Sequence, residues 1–214
     1  MAISLPLTNA AVSNANLSAK GNTQTMKLEV TQKTNGVDTA RMQETVRAVK
    51  ASPELGRFKF RIDNQWVDAG VNRSEVKSFY GCGQTLSHNT DFTLAADEPN
   101  ILLGSDTGAN PVEHLLHALA SCVTTSMVYH AAARGIEVDH VESSLEGDLD
   151  LQGFLGLDPA VRNGYQQIRL KLRIKADVTD QQLQELAGLG PTFSPVYDSL
   201  AKGVPICVSV ERTR

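Results

Sequence analysis

A chain of 214 residues is long enough to bury one core without a metal or disulfide staple. Its formal net charge of −4, with both signs interspersed, leaves no basic footprint and excludes nucleic acid as an expected partner. Three cysteines, Cys82, Cys122 and Cys207, are never spaced as CxxC, which excludes a secreted disulfide framework and points to a reduced, cytoplasmic setting.

The opening MAISLPLTNAAVSNANLSAKG lacks the basic and apolar regions of a signal peptide, so none is expected. Residues 1–35 read as an N-terminal arm or tail, with room for a short strand at MKLEV, and residues 36–214 as a single domain. A helix is expected over 39–51, capped by Asp38 or Thr39 and ended by Ser52-Pro53. In FKFRIDNQW, Phe58, Phe60, Ile62 and Trp66 alternate with polar residues, the pattern of a half-buried strand. After a turn at AGVN, RSEVKSFY reads as a second strand. Gly81-Cys82-Gly83 breaks it, and residues 83–107 read as loop with a short strand at DFTLA.

The stretch from Pro111 reads as a long helix. Asn110 is a natural N-cap, Pro111 suits the first position, and Glu113 stands at the capping-box position. His114, His117 and a run of Ser and Thr dilute this helix too heavily for a membrane span. Two strands follow, VESSLEGDLDL with an acidic outer row and QIRLKLRIK with a basic one, which predicts antiparallel pairing. The link between them, GFLGLDPAVRNGY, is a candidate pocket lid. A helix after Asp180, a short helix after Ser194-Pro195 and a final strand, VPICVSV, complete the chain. The order implies an α+β fold with helices against a mostly antiparallel sheet. No Lys, Arg, Asp or Glu falls between His114 and Ala133, and Leu115, Leu116, Leu119, Val128 and Ala132 point in many directions. A helix apolar all round must be covered all round, so a homodimer is expected.

Cys122 shares a helix stripe with Leu115, Ala118 and Leu119 and could serve as a small hydrophobe. A reactive thiol needs a cation to favour the thiolate, and this helix supplies none, so any such cation must come from elsewhere in the fold. The run SDTGANPVEHLLHALASC resembles the signature helix of the OsmC/Ohr superfamily, the osmotically inducible protein C and organic hydroperoxide resistance proteins. The resemblance extends through residues 56–212 and leaves residues 1–35 outside it.

That resemblance implies an intertwined dimer whose two long helices are wrapped by sheets from both chains. It also implies a thiol peroxidase that reduces organic hydroperoxides. The helix cysteine becomes a sulfenic acid, a second cysteine closes a disulfide, and an external dithiol such as a lipoyl group reopens it. An arginine from the first hairpin and a glutamate directly after the helix proline hold the thiolate. Carried onto this sequence, Cys122 matches the peroxidatic position, and Arg73 is the best match to the arginine, with Arg61 competing. Val112 stands where the glutamate would be. Glu113 is one step later, ~100° around the helix, and is at least as well explained as a cap. The second cysteine of the family precedes a proline; here the dipeptide is Ser194-Pro195. The usual two-cysteine cycle is therefore unavailable, and Cys82, in its Gly-flanked loop, is a better substitute than Cys207.

His114 and His117 have a spacing that could ligate a metal, but no third ligand is evident, and neither metal nor cofactor is expected. Asp97 and Glu98, before Pro99, read as a turn. The expectation is a dimer-interface pocket in which Cys122, assisted by Arg73 and Glu113, reduces an organic hydroperoxide at the expense of an external thiol reductant. The alternative is a non-catalytic dimer that binds a small apolar ligand, or a redox sensor.

Overall fold

The computed structural model describes residues 33–213; the strand expected at MKLEV lies outside them. The first element is a hairpin, β1 (Lys33–Thr34) and β2 (Val37–Asp38), closed by Asn35 and Gly36 with φ of 54° and 77°. Two consecutive positive φ angles favour Asn-Gly above most dipeptides. The Asn35 amide donates to the Ile136 carbonyl and accepts from Val138 N–H, both at 2.9 Å, so the turn is pinned to a distant loop. Helix α1 (Thr39–Ala51) follows as expected, with the Asp38 carboxylate accepting from Arg41 N–H at 3.0 Å.

Strands β3 (Ile62–Asp68), β4 (Val71–Val76) and β7 (Thr93–Ala96) form an antiparallel sheet in the order β3-β4-β7. The turn at Ala69-Gly70 and the strand at DFTLA agree with the sequence. The expected boundaries need correction. Regular pairing begins at Ile62 rather than Phe58; before it the chain makes an isolated bridge, Lys59 to Tyr80, and one bond from Lys77 N–H to the Arg61 carbonyl. The second expected strand divides into β4 and β5 (Phe79–Gly81). Strand β5 pairs with β6 (Gln84–Leu86) across a turn in which Cys82 and Gly83 both have positive φ. β3 is not half-buried within one chain: all seven of its residues are exposed, and Trp66 is 65% exposed.

The long helix α2 (Pro111–Ala132) begins with the expected capping box. Asn110 accepts from Glu113 N–H and the Glu113 carboxylate accepts from Asn110 N–H, both at 2.8 Å. It ends where Gly135 takes φ of 69° and Ile136 N–H reaches back to the Ala131 carbonyl. Strands β8 (His140–Asp148) and β9 (Gln167–Lys175) pair antiparallel, and the charge rows meet as expected. Arg169 bonds Glu146 at 2.6 Å and Asp148 at 2.5 Å, and Arg173 reaches Glu142 at 3.4 Å. The linking loop contains a short helix, α3 (Leu151–Phe154). Helix α4 (Asp180–Phe193) contains Pro191, and α5 (Pro195–Lys202) follows it.

The buried cluster Met127, Ala131 and Leu186 joins α2 to α4 and is flanked by Val141, Leu172 and Ile174 of the β8–β9 pair. Close helix approach depends on Gly190. A Cβ there would lie 2.7 Å from Val123 Cγ1 and 2.9 Å from the Val123 carbonyl oxygen, whereas at Gly188 it would meet nothing within 4 Å. Gly190→Ala should therefore destabilise by about 1–3 kcal/mol through overpacking. Gly188→Ala, in the same helix, should stabilise by roughly 0.5–1 kcal/mol by removing backbone freedom from the unfolded chain. Urea unfolding midpoints measure both, and equal effects would remove the close-approach account.

The final expected strand is the largest correction. Among the described residues, no backbone hydrogen bond joins 204–213 to the rest of the chain. Ile206, Val208 and Val210 are 83%, 85% and 90% exposed. The alternating pattern is present, but this run pairs with no strand among the described residues.

Candidate functional site

Helix α2 buries one stripe in its own chain: Leu119, Val123, Met127 and Ala131, each four residues apart. Cys122 lies outside that stripe and is half-buried, not sealed. It follows Leu115 and Ala118 at helical spacing and precedes Tyr129 by two turns, so these four mark a second face that one chain leaves partly open. Among the described residues no hydrogen bond is made to the thiol.

The residues expected to surround Cys122 are distributed as follows. Arg73 lies on β4, opposite Gln65 on one side and Ala95 on the other; it is exposed and, among the described residues, has no hydrogen-bonded or ionic partner. Arg61 is occupied, its Nη1 donating to the Ser78 carbonyl at 3.2 Å. The Glu113 carboxylate is engaged in the capping box. Within one chain these three side chains make no hydrogen bond to Cys122. Cys82 sits half-buried in the β5–β6 turn, and Cys207 is exposed in the unpaired C-terminal run. Among the described residues no group of three His, Cys, Asp or Glu side chains could hold a metal. His114 is engaged elsewhere, its Nε2 lying 2.9 Å from the Ala95 carbonyl.

Ser194 is buried at the α4–α5 junction, where its hydroxyl accepts from Tyr197 N–H at 3.1 Å and caps α5. Its neighbour Phe193 is held against α2. Ser126, one turn beyond Cys122, donates to the Phe193 carbonyl at 3.4 Å, and His130 stacks on the Phe193 ring at 3.7 Å between centroids. Burial, with Arg134 nearby, holds the His130 imidazole below its ordinary pKa. The loop expected to act as a lid is anchored to the start of α2: the Tyr165 hydroxyl donates to the Val112 carbonyl at 3.0 Å. Burial and the Glu113 carboxylate raise the Tyr165 pKa.

Asp97, a turn residue by sequence, has a larger role in the structure. The side chain is fully buried and accepts from the backbone N–H groups of Glu98, Ser105 and Thr107 and from the Thr107 hydroxyl, at 2.8 to 3.1 Å. It organises the loop that delivers the chain to Asn110. Thr107 N–H above all, with the other donors, holds the Asp97 carboxyl below its ordinary range. The unfolded chain then binds the extra proton in acid. The stabilisation is full above the unfolded pKa, ~3.9, and is lost as pH falls through the lower folded value. Asp97→Asn should flatten the acid limb of the urea midpoint against pH; an unchanged limb would assign the acid sensitivity elsewhere.

The OsmC-like protein family model matches residues 104–209, the segment holding α2, β8, β9, α4, α5 and the C-terminal run. This chain belongs to the OsmC/Ohr superfamily. The fold agrees. An OsmC-like protein from Mycoplasma pneumoniae aligns with a TM-score of 0.51 at 18% identity, over 67% of this chain and 87% of that one. The organic hydroperoxide resistance protein OhrB of Bacillus subtilis aligns with a TM-score of 0.40 at 18% identity, over 66% and 89%. No curated protein matches the chain. The residue before Pro195 in this chain is Ser194. No helix among the described residues is long and apolar enough to cross a membrane.

Proposed function

We propose that this OsmC-like protein serves in the response to peroxide stress as a thiol-dependent reductase of organic hydroperoxides, with Cys122 as the reacting thiol. The observation that carries the reading is the half-open position of Cys122 beside, not within, the buried stripe of α2. A thiol used only for packing belongs with Val123 and Met127. The names of similar structures, which include organic hydroperoxide resistance proteins, support the substrate class.

The working form is a homodimer, in which the partner's sheet covers the open face of α2 and forms the pocket. The exposed apolar residues of β3 and of the C-terminal run support this. In that pocket the Cys122 thiolate attacks the outer oxygen of the hydroperoxide. The S–O bond forms, the O–O bond breaks, and the alkoxide leaves and takes a proton to become the alcohol. An external thiol then attacks the sulfenic sulfur and expels water as the mixed disulfide forms. A second external thiol releases Cys122. Arg73 favours the thiolate; its freedom from other partners supports it over Arg61, whose guanidinium is already bonded. Glu113 is placed to hold the helix start and, through it, the site.

Hydroperoxide consumption should be followed with several thiol donors, for wild type and Cys122→Ser. Loss of at least ~1,000-fold in the variant, with an unchanged dimer, is expected. Equal rates would leave the non-catalytic reading, a dimer holding a small apolar ligand.

A further inference from the structure

We propose that His114 is a positioning residue that couples the strand carrying Arg73 to the helix carrying Cys122. This rests on the assignment of those two residues above. Strand β7 has β4 on one side and an open edge on the other. Along a strand, alternate residues direct their backbone groups to the same edge, so Ala95 and Asp97 act together. Both are satisfied from the α2 side. Asp97 N–H donates to the Ala109 carbonyl at 3.4 Å, and the Ala95 carbonyl is met by His114 Nε2 at 2.9 Å. A carbonyl only accepts, so Nε2 carries the proton and the ring is the donor. Gly108 makes the approach possible: a Cβ there would lie 3.1 Å from the Ala95 oxygen.

Ala95 is the register partner of Arg73 across the β4–β7 ladder. The His114 bond therefore holds the ladder position that faces Arg73 against α2, at a point ~12 Å of helix from Cys122. Arg73 has no side-chain partner among the described residues to aim it, so its reach is set by its strand. The His114 bond fixes that strand against α2, whose start is already held by the capping box. Closing the free edge of β7 would be a purely structural duty, satisfied by any bond that keeps the protein folded. Coupling demands more: the thiolate should respond to the length of the residue at 114.

The test uses full-length dimer in which Cys82 and Cys207 are serine, so that Cys122 alone reports. His114→Gln keeps an N–H near the place of Nε2, and His114→Asn is polar but too short to reach. Alkylation rate and thiolate ultraviolet absorbance at neutral pH are measured beside thermal midpoints. Arg73→Met should lower both thiol readouts, the rate by about tenfold. His114→Asn should lower them in the same direction, His114→Gln should restore them, and Arg73→Met with His114→Asn should fall no further than Arg73→Met alone. If Arg73→Met changes nothing, the arginine assignment fails and the coupling with it. If Arg73→Met acts but His114→Asn matches wild type, or the two add in full, the coupling alone is overturned.

Discussion

A chain ended at Gly203 is expected to lose both its dimeric state and most of its folded structure, although the residues removed make no backbone hydrogen bond to their own chain among those described. The deletion takes away Val204, Ile206, Val208 and Val210, all exposed in the single chain and alternating with Pro205, Cys207 and Ser209. A run with that period pairs with a sheet, and in the proposed homodimer that sheet belongs to the other protomer. Burying four such side chains is worth roughly 6–12 kcal/mol at ~1.5–3 each, about the whole stability of an ordinary domain. The interface should exceed ~2,000 Å², the range of permanent dimers. Sizing with light scattering, read beside circular dichroism, measures both losses. A truncated chain that stays folded and dimeric would move the interface elsewhere, and a full-length folded monomer at micromolar concentration would remove the dimer.

Ser194→Cys is expected to change the fate of oxidised Cys122 completely. In the wild type, hydroperoxide should leave Cys122 as a sulfenic acid, or as a mixed disulfide when an external thiol is present. Sulfinic acid should accumulate at modest excess, because over-oxidation competes only with resolution from outside. The Ser126 bond to the Phe193 carbonyl holds the residue before Ser194 one helical turn from Cys122. A cysteine at 194 should then close a 122–194 disulfide, which requires Cα atoms within ~7 Å. The substitution weakens the cap on α5, at a cost of about 0.5–2 kcal/mol. Peptide mass spectrometry of peroxide-treated protein distinguishes the products. A stoichiometric Cys82–Cys122 bond in the wild type would show that the protein carries its own resolving thiol.

Where sequence and structure agree, a local signal had one dominant cause. The start of α2 was legible because Asn110, Pro111 and Glu113 each satisfy a different need of a helix N-terminus. The β8–β9 pairing was legible because opposed charge rows favour these two strands as antiparallel partners. The C-terminal run was misassigned for the reason that makes it informative: its period is that of a strand, but pairing also needs an edge, and sequence period does not say which chain supplies it. The Asn35-Gly36 hairpin is hard to see in the sequence although the dipeptide is a strong turn signal, because two-residue strands give almost no periodicity around it.

The site was legible to a smaller extent. Cys122 stands out through the resemblance of the run that ends on it to the OsmC/Ohr signature helix; helical spacing alone leaves it a small hydrophobe. Asp97 does not, because its partners Ser105 and Thr107 lie eight and ten residues away in a loop without period. Ser194 was read as a missing cysteine; its second role, the cap on α5, follows from Ser preceding Pro at a helix start. His114 was weighed as half of a metal pair with His117. Its bond to a strand carbonyl depends on how β7 lies against α2, and residue spacing does not encode that.

The central claim is that Cys122 is the thiol that meets the peroxide. Native wild-type protein should be treated with one equivalent of an organic hydroperoxide in the presence of a sulfenic-acid trapping reagent, then digested and analysed by mass spectrometry. The account predicts the trapped label on the peptide containing Cys122, with Cys82 and Cys207 left as free thiols and the hydroperoxide converted to its alcohol. Unmodified Cys122 beside intact hydroperoxide, or a label confined to Cys82 or Cys207, would contradict it.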